Sequence, residues 1–257
     1  GSTGSLSIAA LVQALPAGGV PAKAAILLVV SGLFMKAAVF PFHAWAPDAY
    51  ASTRLQVTAM LASVLKAAVV LALVRILGPV VLDSATGAMV GVLAIASIFY
   101  GNIAALSQPR FKRLLAYSSI AHAGYMVFAL MDGTGNRASD LLWYTAFYAG
   151  ATLLASAAFA VLCPNGDDEL SALDGQFNAH PVAALLLSMA VLSLAGMPPF
   201  PGFFAKLFVF KSVVASGHLV AAVVAFLGSF LGLAYYLGIV MRLFRSDARR
   251  SATATPQ

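Results

Sequence analysis

Seven apolar stretches, each ~20 residues long, follow one another along this 257-residue chain, and three of them hold a lysine. Lys36 lies in AILLVVSGLFMKAAVFPF, Lys66 in MLASVLKAAVVLALV, and Lys206 at the end of AGMPPFPGFFAK, just beyond its break. A lysine at the centre of a bilayer costs roughly 2.5–3.5 kcal/mol on insertion scales, so it is rarely kept there without a use. Withdrawal from water also makes an ammonium group readier to release its proton. The three lysines therefore point to proton transport across a membrane.

The chain is 61% hydrophobic and 9% charged, whereas a soluble domain carries about 25% charged residues. An integral membrane protein is the class that remains. The stretches alternate too little, and are too rich in Leu, Ala and Val, for a porin-like barrel. The expected fold is all-α, with helices at 21–45, 55–77, 86–106, 112–131, 139–162, 181–211 and 218–243. The net charge of +6 comes mostly from basic residues at span ends, so it reports topology rather than nucleic-acid binding. With helices alternating in direction, one side collects Arg54, Arg110, Lys112, Arg113, Arg242, Arg245, Arg249 and Arg250. The other holds Lys23, Arg75, Arg137 and Lys211. The positive-inside rule makes the first side cytoplasmic and the bacterial inner membrane the expected location.

Cys163 is the single cysteine, which excludes an intrachain disulfide and a cysteine metal cluster. No GxGxxG, Walker loop, CxxC or HExxH motif occurs, so neither a redox nor a nucleotide site is recognisable. The first residue is not Met, which reads as a piece of a longer chain, with 1–20 an external loop and 244–257 a polar cytoplasmic tail. The acidic segment 165–175 reads as a solvated loop or short surface helix.

Two of the seven helices contain breakers. Pro41 follows Lys36 in the first, and Gly196, Pro198, Pro199, Pro201 and Gly202 precede Lys206 in the sixth. Proline removes a backbone donor and clashes with the preceding turn, so each site should unwind. Unwound backbone survives at membrane depth only when buried in protein or lining a wet cavity. Either break alone reads equally well as a structural kink. Together, five helices apart, they describe a repeat, inverted because it holds an odd number of helices, with an ion path at the breaks.

Among the titratable residues, Lys66 stands near mid-helix, with Ser63 and Thr58 near its face. Lys36 and Lys206, closer to breaks, have snorkelling to the headgroups as a second reading. His122 stands in a stripe with Ser118 and Tyr125 at i, i+4 and i+7; it is a packing histidine or a proton relay. His43, beside the first break, either links the path to the cytoplasm or caps unwound backbone. Tyr144, Thr145 and Tyr148 offer hydroxyls, but aromatic packing explains them too. No Asp or Glu is expected inside the seven runs, so the lysines lack an acidic partner within them.

Gly32-Leu-Phe-Met-Lys36, Phe40-Pro-Phe-His-Ala-Trp-Ala-Pro-Asp48, Gly101-Asn-Ile-Ala-Ala-Leu106, Lys112-Arg-Leu-Leu-Ala-Tyr-Ser-Ser-Ile-Ala-His-Ala-Gly-Tyr125 and Leu192-Ser-Leu-Ala-Gly-Met-Pro-Pro-Phe200 closely resemble the antiporter-like subunits of respiratory complex I. The likeness, strongest to the subunit N branch (mitochondrial subunit 2), covers about residues 20–245. It implies a fourteen-helix subunit with two inverted five-helix repeats, of which 21–78 would be the last two helices of the first and 86–243 the second. It also implies that Lys36, Lys66, His122 and Lys206 carry protons, with a glutamate partner for Lys36 on a helix absent here. FMN, iron–sulfur clusters and quinone would belong to partner subunits, and this chain would hold no cofactor of its own. Related antiporter and membrane-bound hydrogenase subunits, or a non-conducting scaffold, are the rival readings. The chain departs from the family at Ala51-Ser-Thr-Arg-Leu-Gln56, where a Glu-Gly-x-Pro-Thr-Pro-like stretch is usual.

Overall fold

The computed structural model describes residues 19–77 and 84–245, all helix and connecting loop with no β-strand among them. The ends of the expected external loop and tail, and the tail arginines Arg249 and Arg250, lie outside the described residues. The helices are α1 Gly19–Ala37, α2 Trp45–Ser52, α3 Leu55–Ala62, α4 Val64–Leu77, α5 Ser84–Leu106 and α6 Phe111–Phe128. They continue with α7 Arg137–Leu162, α8 Gln176–Ala179, α9 Pro181–Ala195, α10 Pro201–Ala215 and α11 Leu219–Leu243. Among the described residues, five spans are long and apolar enough to cross a membrane: Leu55–Leu77, Ala85–Leu106, Phe111–Met131, Arg137–Leu162 and Leu219–Leu243. Leu27–Ala37 and Pro181–Ala195 are apolar but shorter. The first and sixth stretches are thus not single long helices, because α1 stops at Ala37 and α9 at Ala195.

The Phe111–Met131 span is 94% buried, against at most 50% for the other four, so α6 is the axis around which the bundle forms. Its contact with α5 brings backbone to backbone. A Cβ on Gly101 would stand 2.5 Å from the Ala121 nitrogen, and one on Gly124 would stand 2.7 Å from the Ala94 carbonyl oxygen. Small residues permit such contact where lipid supplies no hydrophobic drive between helices. The atoms such a Cβ would meet are all backbone, so Gly101→Ala is expected to destabilise by about 3 kcal/mol or more. Gly150→Ala, with nothing within 4 Å, should be neutral or slightly stabilising. The thermal unfolding midpoints of the two purified variants check the contrast, and equal midpoints would show that this contact does not limit packing.

Both proline-containing breaks are built alike. Ala38 and Val39 donate to the carbonyls of Met35 and Phe34 at 3.1 and 2.9 Å, while Gly196 and Met197 donate to Ser193 and Leu192 at 2.9 and 3.1 Å. In each, the residue after the helix is left-handed, Ala38 at φ 57° and Gly196 at φ 79°. The Schellman pattern satisfies carbonyls that the missing next turn would leave orphaned. Glycine adopts that backbone without penalty. Alanine pays about 1–2 kcal/mol for it, offset by contacts that include Phe40 N–H to Ser97 Oγ at 2.9 Å and Trp45 Nε1 to the Met35 carbonyl at 2.8 Å. Pro41 and Pro199 each stand three residues after the left-handed residue, and each follows a cis peptide bond.

A third interruption carries no proline. The second stretch is divided at Ser63, between α3 and α4, where the Ser63 hydroxyl donates to the Ala59 carbonyl at 2.5 Å. Serine bonding back to the i−4 carbonyl bends a helix, here three residues before Lys66.

The two ends of the bundle carry different chemistry. At one end the acidic segment holds a short helix, Leu170–Leu173, and stays exposed at 165–167, Glu169 and Ser171, as expected, yet it is also strapped down: Leu170 and Leu173 are buried, Phe111 N–H donates to Asp168 O at 2.6 Å, and Leu170 N–H donates to Pro109 O at 2.8 Å. Lys112 pairs with Asp168 at 3.6 Å, and Arg242 and Arg245 pair with Asp174 at 3.4 and 3.7 Å. At the opposite end, Arg137 donates to the carbonyls of Leu77 and Asp132 at 3.0 and 2.7 Å, and Ser212 donates to Asp140 at 2.5 Å. Asp140 lies in the first turn of α7 and is buried, which corrects the expectation that no acid lies inside the seven runs. Its place at a helix N-terminus, beside a hydroxyl donor, makes a carboxylate tolerable there. Burial pushes the Asp132 carboxyl up, but hydrogen bonds from Thr134 and Ser216 outweigh it and hold the group below the usual carboxylate range.

Candidate functional site

Three of the four predicted transport residues meet in the interior. Lys66, on α4, is 2% exposed and donates from Nζ to the Ser119 carbonyl of α6. Nζ also lies 5.8 Å from the centroid of the Tyr148 ring on α7. That ring lies 4.7 Å from the His122 ring, whose Nδ1 meets the Tyr144 hydroxyl at 2.9 Å. Tyr125 stands 6.0 Å from His122 and 6.2 Å from Tyr144, ring to ring. Tyr125 also carries Lys206 Nζ over its ring, 4.9 Å from the centroid. Lys206, 8% exposed, donates to the Ala195 carbonyl at 2.9 Å, an acceptor at the end of α9 beside the break. A chain of aromatic and imidazole groups thus connects the two lysines, with His122 within electrostatic reach of both.

Tyr144 and Tyr148 are the connectors that sequence reasoning set aside as packing. Their spacing of four places both on one face of α7, and that periodicity was the signal available. Thr145, between them, instead bonds back to the Leu141 carbonyl at 2.6 Å and takes no part. The Ser118, His122 and Tyr125 stripe is buried as a whole but does not act as one file. Ser118 hydrogen-bonds the Tyr236 hydroxyl and Tyr125 bonds Ser229 at 2.8 Å, both on α11, while His122 turns to α7. Thr58 donates to the Tyr50 carbonyl at 2.9 Å and meets Thr53 at 3.1 Å, so its hydroxyl serves the α2–α3 connection.

Lys36 differs from the other two. It is exposed on α1, outside the interior that holds Lys66, His122 and Lys206, which corrects its placement among buried lysines. Met35 beside it is exposed too, so the described residues supply no wall there. His43 is buried within the first break, stacked on Phe40 at 5.3 Å and against Tyr100 at 4.2 Å. Pro41, Pro198 and Pro199 are exposed and shape the breaks rather than touch the interior groups.

Spaces of three kinds adjoin these residues. A gap of about 10 Å³, bounded by His122, Tyr144, Tyr148, Ser193, Gly202 and Ala205, is at the lower limit of room for one water. A cavity of about 350 Å³ lies beside Lys206 and the break. A cleft of about 420 Å³ opens at the basic end, between Thr53, Arg54, Lys112 and Asp168. Gln56 and Leu55 also line it, so the segment that departs from the usual family pattern forms its rim. Among the described residues, the ion pairs lie at the ends of the bundle, and no carboxylate pairs with Lys66 or Lys206. No group of three His, Cys, Asp or Glu side chains among them is placed to hold a metal.

Residues 1–232 match the NADH:quinone oxidoreductase/Mrp antiporter transmembrane family. The chain is 58% identical over 248 residues to NADH-quinone oxidoreductase subunit N of Pelobacter propionicus, covering 96% of this chain and 53% of that one. It matches a chain in respiratory complex I of Thermus thermophilus with bound aureothin at 36% identity and TM-score 0.78, covering 92% of this chain and 55% of that one. A chain of the Mrp complex of Dietzia sp. is 28% identical, with TM-score 0.80, over 96% of this chain and 46% of that one. The chain spans about half the length of the curated relatives it matches. All-α architecture, apolar spans and these likenesses together identify the chain as a member of the NADH:quinone oxidoreductase/Mrp antiporter transmembrane family.

Proposed function

We propose that this chain is the proton-translocating part of a membrane subunit of a proton-pumping NADH:quinone oxidoreductase, of the subunit N type, in a bacterial inner membrane. The observation that carries this is the pair of interior lysines, without carboxylate partners among the described residues and linked through Tyr148, His122, Tyr144 and Tyr125. A charged lysine among apolar helices is costly, and a cationic neighbour raises that cost. A proton arriving on Lys66 therefore pushes one off His122 toward Lys206, and release of the proton from Lys206 lets His122 take up the next one from Lys66. Waters carry the steps too long for direct hydrogen bonds, with the gap beside His122 as one such place.

The second five-helix repeat, 86–243, and the last two helices of the first, 21–78, are the organisation we infer. Support comes from the two breaks, which share a Schellman ending, a left-handed residue and a proline three positions on. Lys36 takes its role at the junction with the part of the longer relatives that this chain does not span. Flavin, iron–sulfur and quinone chemistry falls to partner subunits, and the basic end of the bundle faces the cytoplasm. Identity of 58% to an NADH-quinone oxidoreductase subunit N, against 28% to a chain of an Mrp complex, favours this reading over an antiporter subunit.

Two measurements test it. Flavin and iron–sulfur proteins should copurify with the full-length subunit, and their absence would favour the antiporter reading. Tyr144→Phe removes the hydroxyl on His122 Nδ1, and losing one neutral hydrogen bond of about 0.5–1.5 kcal/mol should slow proton pumping roughly two- to tenfold. Pumping in reconstituted vesicles at the wild-type rate, with assembly intact, would remove Tyr144 from the path and strengthen the scaffold alternative.

A further inference from the structure

The cavity of about 350 Å³ beside Lys206 is not used by the path described above, which approaches that lysine from Tyr125. Its walls are Met197, Phe203, Leu207, Phe210, Phe226 and Phe230, with Lys206 as the cation and Ser229 as the polar group. Leu207, Phe226 and Phe230 are 44, 50 and 56% exposed, so the cavity is reached from the outer surface of the bundle. In a membrane-spanning chain that surface meets acyl chains. The Ser229 hydroxyl is already engaged by Tyr125 at 2.8 Å, which leaves the ammonium as the group able to fix an incoming ligand.

An ammonium has three donors, and Lys206 Nζ directs one to the Ala195 carbonyl. Its remaining donors have no carboxylate among the described residues. A mostly apolar pocket of this size with one charged group is the usual form of a small-molecule site. We propose that it binds a lipophilic monocarboxylate, a fatty-acid-like molecule taken from the bilayer, with the carboxylate on Lys206 Nζ and the alkyl chain along the phenylalanines. Charge complementarity selects an anion, since a charge-assisted hydrogen bond is about twice as strong as a neutral one. The apolar walls select an alkyl tail over a peptide, whose backbone amides and carbonyls would find no partners there. A bound carboxylate holds Lys206 in its charged form and so blocks proton transfer through it. That inhibition, though not the binding, rests on the role proposed for Lys206 above.

The test uses the intact complex containing the full-length subunit, incubated with decanoic acid carrying a terminal diazirine, irradiated and digested for mass spectrometry. The acid should label peptides within 196–233 about tenfold more than the matching primary alcohol does. Lys206→Met should abolish that difference, and Leu233→Trp, narrowing the cavity wall, should lower labelling about fivefold with basal NADH-driven pumping unchanged. Equal labelling by acid and alcohol, no labelling in 196–233, or an acid preference that survives Lys206→Met would each overturn the site. Labelling as expected without inhibition of pumping supports the site and counts against Lys206 as a proton carrier.

Discussion

Lys66→Met is expected to leave the subunit inserted and assembled while proton transfer through it falls by roughly 100-fold or more, the scale at which a positioned acid–base group acts. Methionine fills nearly the same space, and removing an ammonium from mid-membrane relieves roughly 2.5–3.5 kcal/mol on insertion scales. Against this stands one lost donor to the Ser119 carbonyl, worth about 1 kcal/mol. Folding should therefore hold or improve, and the loss should be functional. Lys66→Arg sharpens the test, because guanidinium keeps the charge but does not release a proton at working pH. It should be as inactive as Lys66→Met. Proton pumping per NADH oxidised, measured in vesicles reconstituted with equal amounts of assembled complex, reads both. Pumping at the wild-type level in either variant would take Lys66 out of the path.

Gly202→Ala has a structural effect of comparable size. A Cβ there would lie 1.8 Å from the Ser193 carbonyl oxygen and 2.7 Å from its carbon, both backbone atoms of α9. Neither can rotate away. The two halves of the broken helix must then separate at the point where Gly202 N–H meets Ser193 Oγ at 3.0 Å. Overpacking costs about 1–3 kcal/mol where side chains can yield, and more where only backbone can move. The gap beside His122 is bounded by Gly202 and Ser193, so the same shift would open it and carry Lys206 away from Tyr125. Ser193→Ala, by contrast, loses the hydrogen bond without adding volume and should cost about 1 kcal/mol. The amount of each variant in the assembled complex, with its thermal midpoint, checks the ordering. Assembly of Gly202→Ala equal to that of Ser193→Ala would mean the halves of the helix are not held at this distance.

The membrane class, the two proline breaks and the candidacy of Lys66, Lys206 and His122 as transport residues were legible in the chain itself, because each depends on local chemistry. A run of ~20 apolar residues spans a bilayer whatever it packs against. Proline lacks its amide in any fold, and a lysine among leucines is costly wherever its helix points. Ser63 shows where local reading weakens: serine either bonds back to its own helix or packs against a neighbour, and the choice depends on what surrounds it.

Only the tertiary structure decided which groups meet. Tyr144 and Tyr148 share a face of α7 by their spacing, but the rotation and depth of α7 against α6 turn that face to His122 rather than to lipid. The packing of α11 against α6 takes up Ser118 and Tyr125. Lys36 and Lys66 look alike in sequence, each an ammonium in an apolar helix. Among the described residues one is exposed and the other is enclosed by α6 and α7, because burial belongs to the packing of several helices rather than to one. The acidic segment reads as a surface loop by composition, and it is tied down by carbonyls and arginines more than fifty residues away along the chain. Hydrogen-bond partners at that sequence separation leave no periodicity in either segment, so only the folded arrangement reveals them.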